Sequence, residues 1–212
     1  MEMFGDMDCG WIIEAASALE NETVGVRRHL HADPELSYHE YRTADYIRGL
    51  LDEAGMSWQP VAGTGTLVEI GGTASNGSGR TVVLRADIDA LPVHEQVDVP
   101  WRSRNEGVMH ACGHDMHTAV LMGVLKILSA NRHRFGGRIL GRFQPGEERN
   151  PGGASLVLAE NPFEGYNVAA VIGEHVDVGL PVGSFGFREG CYMAASDELR
   201  FRVKGVGGHG AM

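Results

Sequence analysis

Residues 109–130 read MHACGHDMHTAVLMGVLKILSA, a crowd of polar, chemically active side chains running without a break into an apolar stretch of helical length. The spacing predicts a helix from His114 to Ala130, with Cys112, His114, Asp115 and His117 gathered at its start. Upstream, TVVLRAD (81–87) is a continuous apolar run, as expected of a strand buried on both faces. Downstream, GRILGRFQ (137–144) reads as a second strand. A strand, a helix and a strand in that order make a parallel pair with a crossover, so this stretch decides the fold.

The pattern continues outward in both directions. Residues 11–30 have helical spacing, with Ile12, Ala15, Ala16, Leu19, Val26 and Leu30 expected on one side. HADPELS breaks the pattern at Pro34, and a second helix is predicted over 38–54 with Gly55 as its stop. Residues 65–71 read as a strand, and GGTASNGSGR (71–80) as a flexible loop. GGASLVLAE (152–160) is expected to open a helix, and VAAVIGEHV (168–176) to form another buried strand. The whole predicts an α/β sandwich around a mostly parallel sheet. LRFRV (199–203) alternates instead, as the first strand of an added subdomain would. The expected division is therefore 1–195 and 196–212.

The chain has 212 residues, 43 % of them hydrophobic and 22 % charged, a balance that can bury a real core. A net charge of −10 disfavours nucleic acid and anionic membrane as partners. No apolar run reaches the length of a bilayer span, and the acidic start MEMFGDMDCG lacks the regions of a signal peptide. Three cysteines, Cys9, Cys112 and Cys191, are too few and too odd for a disulfide framework, so a reducing cytoplasm is the expected compartment.

The polar clusters all fall where strands end or helices begin, which is where open α/β sheets collect function. At a helix N-terminus the thiolate of Cys112 is favoured, and thiolate with imidazole suits zinc or a related divalent ion. Taken alone, the cluster also fits a capped helix end with a small buried cysteine. QPGEE (144–148) adds Glu147 and Glu148, adjacent acids at a strand end. Their side chains diverge, so one can bind metal while the other reaches water, the division that metal-assisted hydrolysis requires. GEHVD (173–177) adds His175, at the end of a run that reads as too apolar for the surface. RADIDALP (85–92) offers Asp87 and Asp89, for metal binding, for orienting a ligating imidazole, or for forming the turn before Pro92.

RADIDALPV, MHACGHDMHTAVLMG, FQPGEE with GGASLVL, GEHVDVGLPVG and GVGGHGAM together resemble the successive signatures of the M20 family of metallo-amidohydrolases, in order and at natural spacing from about residue 25 onward. They resemble most the branch of hippurate hydrolases, N-acetyl-amino-acid deacetylases and auxin-conjugate hydrolases. The resemblance implies a zinc-peptidase-like α/β/α catalytic domain with two divalent metals, zinc or manganese first and cobalt or nickel next, and an inserted α+β lid. It implies Cys112, His114, Glu148 and His175 as metal ligands and Glu147 as the acid/base for the water that attacks an N-acyl amino acid. Asp89 matches an aspartate that supports a ligating histidine, with Asp87 standing where that histidine is found. His209 matches a lid histidine that reaches a partner's active site in related dimers. For His110, Asp115 and His117 the expectation is orientation or packing only.

The resemblance also implies more chain than is present: the rest of the lid, the completing edge of the catalytic sheet and one further metal-binding histidine. The expectation is therefore a C-terminally truncated member, acting as a homodimer or with a complementing C-terminal segment. The alternative is a catalytically silent metal-binding fragment. A third reading, Cys112 as nucleophile with His114 or His117 as base, leaves the glutamates and His175 without a role.

Overall fold

The computed structural model describes residues 10–75, 79–194, 197 and 199–211. Cys9 and the acidic start, the tip of the 71–80 loop, the expected division at 195/196 and Met212 lie outside them. The chain divides into two compact units, Met1–Val176 and Asp177–Met212.

The first unit is built from α1 (Gly10–Ala32), α2 (Tyr41–Glu53), β1 (Trp58–Val61), β2 (Gly65–Gly71), β3 (Arg80–Asp87), α3 (His114–Ala130), β4 (Arg138–Gln144), α4 (Gly153–Ala159) and β5 (Asn167–Gly173). The sheet order is β1-β2-β4-β3-β5. β3 pairs in parallel with β4 and with β5, while β2 is antiparallel to β1 and to β4. Four strands therefore share one direction and β2 opposes them. Between β3 and β4 the chain crosses over through α3, as the strand–helix–strand reading requires.

Alternate residues of the strands feed two cores. On one face Val68, Ile70, Ala86 and Phe143 pack against Ile47 and Leu51 of α2 and Leu121, Met122 and Leu125 of α3. On the other, Leu67, Val83 and Leu140 pack against Val157 of α4. Helices thus cover both faces, giving the α/β/α sandwich, and each fully buried aliphatic or aromatic side chain contributes about 1.5–3 kcal/mol. Val26 and Leu30 of α1 join Ala119 of α3 in a third cluster, so α1 packs on a helix rather than on the sheet.

Four readings differ. β1 escapes the sequence reading because WQPV is only four residues long and contains proline, which is tolerated at an edge. β5 was expected to be buried but is largely exposed, because among the described residues it is the edge strand, paired with β3 alone. On α1, Ile12 and Ile13 face outward and only Val26, Leu30 and His31 are buried, since α3 covers just the second half of the helix. In the second unit the described residues 199–203 form no strand.

Candidate metal centre

β3, β4 and β5 end on the same rim of the sheet, and α3 begins there. Gly113 makes this possible for α3: it caps the helix with φ +86, a left-handed conformation, and a Cβ there would overlap Val176. Cys112 and His114 are thereby turned toward the strand ends. His175 stands two residues beyond the end of β5, and its Nε2 lies 3.2 Å from Cys112 Sγ.

The rim gathers the matched residues into three overlapping groups whose ligand atoms lie within 4.8 Å of one another: Cys112, His114 and His175; His114, Glu147 and Glu148; and Asp87, His114 and His117. His114 belongs to all three and is 1 % exposed. Its Nδ1 donates to Asp89, at 3.0 Å from the carbonyl and 3.2 Å from Oδ1. That fixes the tautomer and leaves the Nε2 lone pair facing Oε1 of Glu148 at 3.8 Å. Both of these atoms are sealed from water and have no hydrogen-bond partner. Two orphaned acceptors pointing at each other suit a cation between them.

The electrostatics agree. Burial, then the carboxylates of Glu148, Glu147 and Asp87, push the Cys112 thiol up to about 12. A divalent ion would reverse that balance and bind the thiolate. Burial also raises the Asp87 carboxyl, against the opposing charge of Arg85, whose Nη2 donates to Oδ1 at 2.7 Å. Burial opposes the charge on Asp89, but hydrogen bonds from His114, Ser37 and the Glu148 amide outweigh it and hold the carboxyl below its ordinary value. His117 is pushed down to about 4, chiefly by burial, and is neutral at physiological pH. Its Nε2 accepts the Val176 amide at 3.0 Å, which tethers the chain just after His175.

Cys112, His114, Glu147, Glu148 and His175 thus converge, with Asp89 directly behind His114. Glu147 and His175 are exposed and Glu148 is half-buried. His175 overturns the expectation that its run is too apolar for the surface, for the same reason as β5. His209 lies in the second unit, exposed, with Nδ1 accepting the Ala211 amide at 3.3 Å. His110 is buried with neither ring nitrogen paired, and burial pushes it down to about 4. Asp115 turns away from the rim to His31 at 2.8 Å. Sequence reasoning assigned His117 to orientation or packing, and in the structure its Nε2 holds the Val176 amide. It also passed over Ser37, whose Oγ donates to Asp89 Oδ2 at 2.6 Å.

Comparison with known proteins shows the chain's family. A family model described as Peptidase family M20/M25/M40 matches residues 83–208, more than half of the chain. The chain belongs to this family. It is 41 % identical over 197 residues to the N-acetyl-L-cysteine deacetylase of Bacillus subtilis, covering 92 % of this chain and 46 % of that protein. It is 41 % identical over 195 residues to the N-acyl-L-amino acid amidohydrolase of Geobacillus stearothermophilus, covering 92 % and 51 %. Among solved structures, the Bacillus subtilis YxeP protein, described as a dinuclear metal-binding peptidase from the M20 family, superposes with a TM-score of 0.76. It is 40 % identical, and the match covers 82 % of this chain and 48 % of that one. The M20 chain described here spans about half the length of the curated relatives it matches. Among the described residues no helix is long and apolar enough to cross a membrane.

Proposed function

We propose that this chain carries the metal-binding part of a hydrolase that cleaves the amide bond of N-acyl amino acids. The observation that supports this reading most directly is the orphaned pair His114 Nε2 and Glu148 Oε1, 3.8 Å apart at the centre of a thiol, imidazole and carboxylate donor set. Cys112, His114, Glu148 and His175 would hold two divalent ions, with Asp87 close enough to share one. A thiolate among the donors favours zinc; manganese, cobalt and nickel suit the remaining donors. When bound, the metals supply Lewis acidity at the substrate carbonyl and at a water.

The chain's own residues do the rest. Glu147, free of the buried network and next to a ligand, takes the proton from the attacking water and returns it to the leaving amine. Asp89 keeps the His114 lone pair aimed at the metal. His209 contributes to the carbonyl oxygen's stabilisation in a dimer. Free Cys112 and Cys191 accord with a reducing compartment such as the cytoplasm. The test is hydrolysis of a panel of N-acetyl amino acids by the purified chain loaded with Zn²⁺ or Mn²⁺, beside the Glu147→Ala variant. Turnover lost in the variant, with metal content kept, supports the reading. Equal turnover in both sinks the role of Glu147, and no metal uptake sinks the metal centre.

A further inference from the structure

The segment between α1 and α2, HADPELSYHE (31–40), looks from sequence like a simple break between helices. It is instead packed beneath the rim, with Glu35, Ser37 and Glu40 all buried. Glu40 is the least exposed of these, at 0 %. It stands at the N-cap of α2 yet makes no side-chain bond to its own helix. Glu35 supplies that cap, accepting the Thr43 amide at 2.8 Å and the Thr43 hydroxyl at 3.0 Å. The Glu40 carboxylate is thereby free to reach across 106 positions of sequence, where Oε1 accepts the Gly146 amide at 2.8 Å. Oε2 accepts the Thr64 hydroxyl at 2.7 Å.

Gly146 sits directly before Glu147 and Glu148. Its φ of +59 is left-handed, and a Cβ there would overlap the Tyr38 ring. The Tyr38 hydroxyl donates to the carbonyl of Pro151, beyond the two glutamates. Ser37 holds Asp89, which in turn accepts the Glu148 amide at 2.9 Å. Three residues within four positions therefore grip the glutamate turn from below, and Glu40 is the one whose charge is sealed from water at the turn itself.

We propose that Glu40 is a positioning residue of the metal centre: its buried carboxylate holds the Gly146 amide and so aims Glu147 and Glu148 at the rim. This rests on the function proposed above. A charge-assisted bond to a backbone amide in a dry site is about twice as strong as a neutral one. Losing it frees the turn to swing by more than a metal ligand tolerates.

The test is Co²⁺ binding to the purified chain, read by its visible and thiolate charge-transfer absorption, with thermal melting run alongside. Glu40→Ala is expected to weaken Co²⁺ binding by roughly 10–100-fold and to alter the visible band, at a temperature where the variant is fully folded. Glu40→Gln, which keeps an oxygen for the Gly146 amide, is expected to recover most of the affinity. Thr64→Val, which removes the carboxylate's other contact, is expected to lower the melting temperature and leave the spectrum unchanged. A folded Glu40→Ala with wild-type affinity and spectrum overturns the assignment alone. If Glu40→Ala does not fold, Glu40→Gln decides: Co²⁺ binding that matches wild type and Thr64→Val supports a role for the oxygen, and a folded Glu40→Gln that binds Co²⁺ roughly 10-fold or more weaker than Thr64→Val overturns it. A wild-type chain that takes up no Co²⁺ overturns the proposed function, and this assignment with it.

Discussion

At the scale of single residues, the rim divides labour between groups that hold and groups that act. Glu147 is exposed beside a half-buried Glu148, so replacing it removes the proposed proton carrier without opening the core. Glu147→Ala is expected to lower kcat by roughly 10²–10⁴-fold while metal content and melting temperature stay close to wild type. Steady-state kinetics on the metal-loaded protein checks this. His31 plays the holding part. Its two ring nitrogens donate to Asp115 at 2.8 Å and Glu95 at 3.0 Å, and Arg27 adds a contact to Asp115 at 2.8 Å. The hydrogen bond to Asp115 is the main cause that raises His31 above its ordinary 6.5. A raised histidine stabilises fully below 6.5, and the contribution fades as pH climbs through the folded value. Burial opposes the charge on Asp115 and Glu95, but their bonds to His31 win and lower both below their ordinary 3.8 and 4.5, so their contribution fades as pH falls. The network therefore contributes most between about pH 4.5 and 6.5. The difference in melting temperature between wild type and His31→Gln is expected to peak in that window and to shrink at higher pH. A difference that grows from pH 6.5 to 9 would contradict it.

At the scale of elements, the approach of α3 to the sheet sets where the rim residues stand. Gly141 lies on β4 directly under α3, and a Cβ there would come 2.7 Å from Cδ1 of Leu125, a fully buried side chain. Gly141→Ala is expected to cost about 1–3 kcal/mol, measured by urea unfolding, because the helix must lift or Leu125 must leave its rotamer. Leu125→Ala would relieve that clash but open a cavity, costing about 2–5 kcal/mol by itself. The double variant should then be less destabilised than the sum of the two, since each change accommodates the other. Strict additivity would mean that the two side chains do not share space.

At the scale of the whole molecule, two features depend on what binds rather than on what packs. A metal that binds the orphaned acceptors of the folded rim stabilises the fold by linkage, so saturation with Zn²⁺ at about a hundred times its dissociation constant should add about 2.7 kcal/mol, and a chelator should remove it. Calorimetry with and without metal reads this directly. β5 presents Val171 and Ile172, 56 % and 55 % exposed, on a strand with one described neighbour. Such an edge recruits other chains. Sedimentation velocity is expected to show self-association that rises with concentration and falls in Ile172→Lys. An unchanged monomer in both would show that the edge is already protected.

Much of this was legible in residues 65–176 taken in order. The bounds of β2, β3 and α3 follow from periodicity and punctuation, which depend only on near neighbours in the chain. The choice of candidate ligand types and the divergence of Glu147 from Glu148 are equally local readings, because spacing within a turn or a helix start dictates which side chains diverge. What lies beyond sequence is every relation between segments far apart in the chain. That Glu40 caps no helix but holds Gly146, that His31 rather than a metal takes Asp115, and that β5 ends up exposed are outcomes of packing. Each depends on which surfaces meet once the sheet is assembled. The sequence by itself determined most of the elements and the family, because both rest on near neighbours in the chain; the tertiary structure alone decided which buried charges stand behind the rim residues, because a carboxylate's partner is set by distance in space and not by distance along the chain.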